Sequence, residues 1–145
     1  MIVLRAIDGY NFRRITELSV TEEQKGFVAS NVYSLAQAYA MPECRPLAVY
    51  EGMEPVGFVM YALDADDQEY WIYRFMIDRR FQRRGYGRQA LRLLIERIRA
   101  EAPDRRALYI SCEPENAAAL ALYTSFGFVP DGRVVDGETV LRLAI

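Results

Sequence analysis

The segment from Gln82 to Arg88, QRRGYGR, offers the first chemistry that residue types and spacing can supply. Gly85 and Gly87 let a backbone approach a ligand without interference from a Cβ. An amphipathic pattern follows at once, so the first turn of a helix would add unpaired N–H groups and the positive end of its dipole. Together these form a site for a phosphate or pyrophosphate around Gln82, Arg83, Arg84, Gly85, Tyr86, Gly87 and Arg88. Arg79 and Arg80 add charge at the same place; some of these arginines can pair with phosphate oxygens, and the rest read as solvated residues. Further along, Asn116 and Tyr123 are about two helical turns apart and share one side of a helix. Taken singly, Asn116 is an N-cap and Tyr123 a boundary aromatic. The chain contains no histidine, which removes the commonest general base and metal ligand, and no metal site is expected.

Gly85, Gly87 and Ala90 also satisfy GxGxxA, the fingerprint of a dinucleotide-binding loop, with Glu113 at the end of the next strand as the ribose-binding acid. Two observations count against that reading. The residues from Asp78 to Arg84 separate the preceding strand from the first glycine, and the chain has one crossover unit where two halves are usual. A triphosphate loop fails too, because no Lys-Ser or Lys-Thr follows the glycines. The net charge of −2 and pI of about 5.3 give no surplus of basic charge for nucleic acid. No apolar run approaches the ~20 residues of a bilayer span. The start, MIVLRAIDGYNF, lacks a basic leader before a long apolar stretch, and Cys44 and Cys112 show no ligand spacing. A cytoplasmic protein with two reduced thiols is expected.

At 145 residues the chain has the size of one domain, residues 1–145, with room for a real core. Ile2 to Ala6 reads as a strand. Asn11 is placed as the cap of a short helix carrying Phe12, Ile15 and Leu18, and Ser30 as the cap of a second with the stripe Val32, Leu35, Ala36 and Tyr39. Extended segments follow at Pro46–Tyr50, Val56–Leu63 and Tyr70–Ile77. A helix over about Tyr86–Ala100 buries Leu91, Leu94, Ile95 and Ile98. Ala107–Cys112 is a strand, Asn116–Phe126 a helix, and two last strands are joined by Asp136-Gly137, a favoured hairpin dipeptide. An antiparallel meander feeding one strand–helix–strand crossover predicts an α/β fold, a mixed, mostly antiparallel sheet with helices on both faces.

Two spaced signatures then carry a resemblance. Gln82, Gly85 and Gly87 match Q/R-x-x-G-x-G/A, and Asn116, Ala119, Leu122, Tyr123, Gly127 and Phe128 match N-x-x-A-x-x-[LF]-Y-x-x-x-G-F. The chain thus resembles the GNAT superfamily of acyl-coenzyme A-dependent N-acetyltransferases. Its first half, in EEQKGFVASNVYSLAQAY and PVGFVMY, is similar to the small bacterial spermine/spermidine acetyltransferases.

The resemblance implies acetyl-CoA as co-substrate and a small-molecule amine as acceptor, with homodimers common in the family. It also implies a splayed central strand pair. Phe75, Met76 and Ile77 would pair with the pantetheine arm through main-chain groups, an oxyanion donor lying near Met76. Asn116 would hold the arm from the other side, and Tyr123 would point at the sulfur. A Tyr hydroxyl can protonate a leaving thiolate, which makes Tyr123 the candidate general acid. In the animal polyamine acetyltransferases a glutamate stands nine residues before the position of Gln82; here that residue is Tyr73, a poor base. Glu22, Glu23 and Glu69 remain as acceptor-side acids acting directly or through water.

Overall fold

The computed structural model describes residues 1–145. The elements run β1 (Ile2–Arg5), α1 (Phe12–Glu17), α2 (Asn31–Ala40), β2 (Cys44–Glu51), β3 (Glu54–Leu63), β4 (Tyr70–Ile77), α3 (Tyr86–Glu101), β5 (Ala107–Cys112), α4 (Ala117–Ser125), β6 (Val129–Val135) and β7 (Glu138–Ala144), with short 3₁₀ turns at Glu22–Gln24 and Arg79–Phe81. The strands form one seven-stranded sheet in the order β1-β2-β3-β4-β5-β7-β6. Every neighbouring pair is antiparallel except β4 and β5. That single parallel pair follows from α3, because a crossover helix returns the chain in the same direction. No helix is long and apolar enough to cross a membrane.

Each face of the sheet carries its own core. Leu91, Leu94, Ile95 and Ile98 of α3 and Tyr123 of α4 pack with Val59, Ile72, Leu108 and Phe128 on one face. Ile15 and Leu18 pack with Ala48, Phe58, Met60 and Met76 on the other, under α1 and α2. Tyr61 and Tyr70 both donate their hydroxyls to Glu101, at 2.7 and 3.0 Å, which ties the end of α3 to the sheet.

Two helix expectations need correction. Asn11 does not cap α1; its side chain accepts from Asp8 N–H and donates to the Ala6 carbonyl, closing the preceding turn instead. Ser30 does cap α2, accepting from Tyr33 N–H at 3.1 Å. Of the expected stripe only Leu35 packs against the core; the buried residues of α2 are Asn31 and Ser34, while Val32 and Tyr39 are 59% and 92% exposed. The polar pair wins because both side chains have partners: Asn31 donates to the Ile15 carbonyl and Ser34 to the Ser30 carbonyl.

Gly57 sits where β3 runs beneath the end of β4. A Cβ there would lie 2.5 Å from the Met76 carbonyl oxygen and 2.9 Å from Ile77 Cδ1. The first obstacle is backbone, which cannot rotate away. Gly57→Ala is therefore expected to destabilise the fold by about 1–3 kcal/mol, the usual cost of overpacking. Urea unfolding should show a lower midpoint at unchanged slope; an unmoved midpoint would mean that β4 yields freely at this point.

Candidate active site

Strands β4 and β5 pair over only three positions, Tyr70↔Leu108, Trp71↔Tyr109 and Ile72↔Ile110, and then part. Beyond that point β4 stays with β3 as far as Ile77↔Gly57, and β5 stays with β7 as far as Cys112↔Thr139. The parting begins at a bulge. Tyr61 pairs with Ile72 and Met60 with Arg74, which leaves Tyr73 as an extra residue that bends β4.

The direction of the backbone groups follows from strand alternation. Asp78 donates its N–H to the Val56 carbonyl of β3 at 2.8 Å. Met76, two residues earlier, faces β3 as well, so Phe75 and Ile77 turn their groups to the opening. The Ile77 carbonyl agrees with this, since it accepts from Gln82 Nε2 at 2.9 Å. The expectation that Phe75, Met76 and Ile77 all offer main-chain contacts narrows to Phe75 and Ile77. Met76 instead buries its side chain in the core under α1 and α2, although it still lines the opening.

The loop after β4 is held by polar struts that the sequence did not reveal. Asp78 is 2% exposed and accepts from Ser19 N–H, Arg80 N–H and Arg80 Nε at 2.8, 3.0 and 2.8 Å. Burial alone would push its carboxyl up, but the bonds from Ser19 and Arg80 outweigh it and hold the group below the usual carboxylate range. Its stabilising contribution is thus present above the unfolded carboxylate value and is lost as pH falls through the depressed one. Gln82 also donates to Gln24 Oε1 at 2.8 Å, fastening the loop to the Glu22–Gln24 turn.

Gly85 stands at the N-cap of α3 in the left-handed region, at φ 81°, and no side chain accepts from the N–H groups of the first turn. The N–H groups of the first turn are therefore available to an anion. Gly87 has a different reason for being small. A Cβ on it would sit 3.7–3.8 Å from Ile77, Leu122 and Phe75, at the base of the opening. Of the five arginines near the loop, only Arg83 lines the cleft. Arg80 is bound to Asp78, Arg84 reaches the Arg80 carbonyl, and Arg88 reaches Ser125 Oγ.

One cleft of about 870 Å³ runs through the opening. Gln82, Arg83, Tyr86, Gly87 and Asn116 line it toward the helix ends, Phe75, Met76, Ile77 and Tyr123 at the parting. Asn116 caps α4 by accepting from Ala119 N–H at 3.3 Å, and its amide nitrogen stays without a protein partner. Tyr123 is 5% exposed and its ring packs edge-on against Phe75 and Phe128. No buried polar side-chain atom lacks a partner and no protein group bonds this hydroxyl, so it opens on the cleft. Burial first, then the nearby Cys112 and Glu138, hold its proton on well above the ordinary phenol range.

The far end is mainly acidic and aromatic, lined by Asp64, Asp66, Asp67, Trp71, Tyr73 and Glu138, with the two arginines Arg74 and Arg133 among them. Tyr73 donates to Asp64 at 2.5 Å, and burial followed by that bond raises its proton affinity. Glu22, Glu23 and Glu69 do not reach the cleft. Glu22 is an exposed partner of Lys25 at 2.7 Å, and Glu23 is exposed beside it. Sequence reasoning missed Glu138, Trp71 and Arg74 as cleft residues. For Glu138 the signal was present in its place immediately after the Asp136-Gly137 turn.

An arm that carries amides fits this geometry, because the opening offers unsatisfied strand groups; a pyrophosphate fits the uncapped end of α3. Comparison with known proteins agrees. Residues 12–128 match the acetyltransferase (GNAT) family. The chain is 32% identical over 147 aligned positions to the spermine/spermidine N(1)-acetyltransferase of Bacillus subtilis, covering 97% of this chain and 96% of that protein. The spermidine N-acetyltransferase of Vibrio cholerae, solved with CoA and spermine, superposes with a TM-score of 0.76 at 19% identity, over 99% of this chain and 94% of that one. An aminoglycoside acetyltransferase solved with coenzyme A gives 0.79 at 17% identity, over 99% and 95%. Family match, full-length relative and shared fold converge: the chain belongs to the GNAT family and is an acetyl-CoA-dependent N-acetyltransferase.

Proposed function

We propose that this enzyme acetylates a primary amine of a small, flexible polycation, with spermidine and spermine as its acceptors. The observation that carries this reading is the far end of the cleft opposite the arginine loop, where the four acids Asp64, Asp66, Asp67 and Glu138 outnumber the two arginines Arg74 and Arg133. Carboxylates at one end attract a polycation while Arg83 and the α3 terminus attract the pyrophosphate, so the two substrates enter from opposite ends. The full-length similarity to a spermine/spermidine acetyltransferase supports the same acceptor class. Gln82, Arg83, Arg84, Gly85, Tyr86, Gly87 and Arg88 form the pyrophosphate loop, with the first-turn N–H groups as the direct donors. Phe75 and Ile77 pair with the arm, and their outward N–H groups are the candidate donors to the carbonyl oxygen.

Tyr123 is the general acid in this scheme. Its hydroxyl keeps its proton at neutral pH because burial opposes the phenolate, so it is charged with a proton when the thiolate leaves. In this reading the enzyme works in the cytoplasm.

Three measurements test this scheme. Tyr123→Phe keeps the ring packing and should lower kcat by about 10²-fold with little change in the dissociation constant for coenzyme A; a kcat within about twofold of the parent would make water the proton donor. Gly87→Ala fills ordinary contact space and should bind coenzyme A like the parent. Gly87→Val crowds Phe75, Ile77 and Leu122 and should raise the calorimetric dissociation constant by about tenfold or more. An equal affinity of both would take Gly87 out of the cofactor site.

For the acceptor, Asp66→Asn should raise the KM for spermidine by about threefold and reduce its salt sensitivity, while a monoamine changes little. Glu22→Gln/Glu23→Gln should change neither substrate. A parent that ignores polyamines and acetylates a peptide amino terminus would overturn the acceptor class and leave the acetyltransferase intact.

A further inference from the structure

Direct attack on a thioester needs a neutral amine, and an alkylammonium with a pKa near ~10.4 is almost fully charged at neutral pH. Some group must take its proton. The cleft offers few that can. Tyr73 donates its hydroxyl hydrogen bond to Asp64 and keeps its proton, because burial opposes the phenolate. Asp64 accepts from Tyr73 and from the N–H groups of Asp66 and Asp67, and those bonds hold its carboxyl below the usual range, the wrong direction for a base. Asp67 holds the Trp71 indole at 2.9 Å and the Glu69 N–H at 2.8 Å. Asp66 lies on the exposed lip.

Glu138 differs from all of these. It is half-buried and lines the cleft, and its Oε1 accepts from Ser111 Oγ at 2.8 Å while Oε2 has no protein partner. Ser111 is the first residue of β5 beyond the last pair with β4, so the bond pins the carboxylate beside the start of the opening. Charged and titratable groups face it from several elements: Arg74 of β4, Cys112 of β5 and Tyr123 of α4 each feel its charge. Arg133 of β6 lines the same end.

We infer that Glu138 is the general base of the reaction and that Ser111 is its positioning residue. This rests on the acceptor being a cationic primary amine. The ammonium gives one proton to Oε2 of Glu138, which passes it to solvent. The amine nitrogen then forms the C–N bond at the thioester carbon, and the C–S bond breaks with its electron pair on sulfur. Tyr123 protonates the sulfur, and the second proton shed by the new amide nitrogen restores Tyr123. Ammonium and thioester thus become amide, thiol and one released proton.

The test uses whichever primary amine of a panel the parent turns over fastest, so failure of the polyamine assignment leaves it intact. Glu138→Gln preserves shape and removes the proton acceptor. It should lower kcat at pH 7 by about 10²-fold and leave coenzyme A affinity unchanged in calorimetry. Between pH 6 and 9 its log kcat/KM should climb with a slope of about one, as the reaction draws on the neutral fraction of free amine, where the parent is flatter. Ser111→Ala should lower kcat by about five- to tenfold and keep the parent's flatter profile. A Glu138→Gln variant with parental kcat and pH profile, or one in which only KM rises, would overturn the assignment.

Discussion

A backbone group buried without a partner costs about 1–3 kcal/mol, and this fold leaves several strand groups without a strand partner in the middle of its sheet. The pairing of β4 with β5 ends after Ile72↔Ile110, and the Phe75 N–H and C=O and the Ile77 N–H then face an open cleft, the Ile77 carbonyl being taken by Gln82. Sheets avoid such edges unless something else fills them. In the proposed scheme the missing partner is the amide-bearing arm of the co-substrate. The rest of the structure keeps that edge unpaired: the bulge at Tyr73 starts it, Gly57 allows β3 to support it closely, and Gln82 closes its far end on the Ile77 carbonyl. Two separate cores, one per sheet face, let the centre open without loss of packing on either side.

The same opening sorts proton affinities. Tyr123 and Tyr73 both lie where burial favours the neutral phenol, yet only Tyr123 leaves its hydroxyl unclaimed by the protein. Asp64 and Asp78 are both held ionised, each by bonds from its neighbours, and both serve as struts. Groups whose bonds are complete hold the frame, and groups with one open valence face the substrates. That division gives a physical criterion for separating structural acids from reactive ones in a cleft that contains both.

Much of the frame was legible in the sequence. Strands β4 and β5 fall where aromatic and aliphatic runs place them, and the apolar stripe of α3 is the one its spacing predicts. The mixed sheet with helices on both faces followed from element order alone. The site was legible where the chain supplies a local signal, as at Gly85 or Asn116, and illegible where partners come from afar. Glu22 and Glu23 sit on the turn that closes over the cleft, but Gln24 is the residue of that turn which faces it. Asp78 looked like one more charge in a charged loop, because its partner Ser19 is on a different segment. The stripe of α2 misled for a related reason. Periodicity finds apolar faces, and the most buried residues of this helix are the hydrogen-bonded Asn31 and Ser34, with Leu35 and Ala38 packing beside them.

The place of Glu138 shows how a remote turn can decide chemistry at the centre. Side chains alternate along a strand, so a slip of one residue would move this carboxylate to the opposite face of the sheet. Its register is set by the hairpin before it. Asp136 and Gly137 both adopt positive φ, 51° and 80°, and Val135 pairs with Glu138 directly across the turn. Two-residue turns of this handedness match the twist of their strands and fix the pairing that follows. The next consequence is the diagonal contact with Ser111, which Val140 faces directly on β5. A left-handed dipeptide at the surface therefore sets which face of β7 carries an acid. Lengthening that turn by one residue would change the reacting end of the cleft without touching any residue that lines its centre.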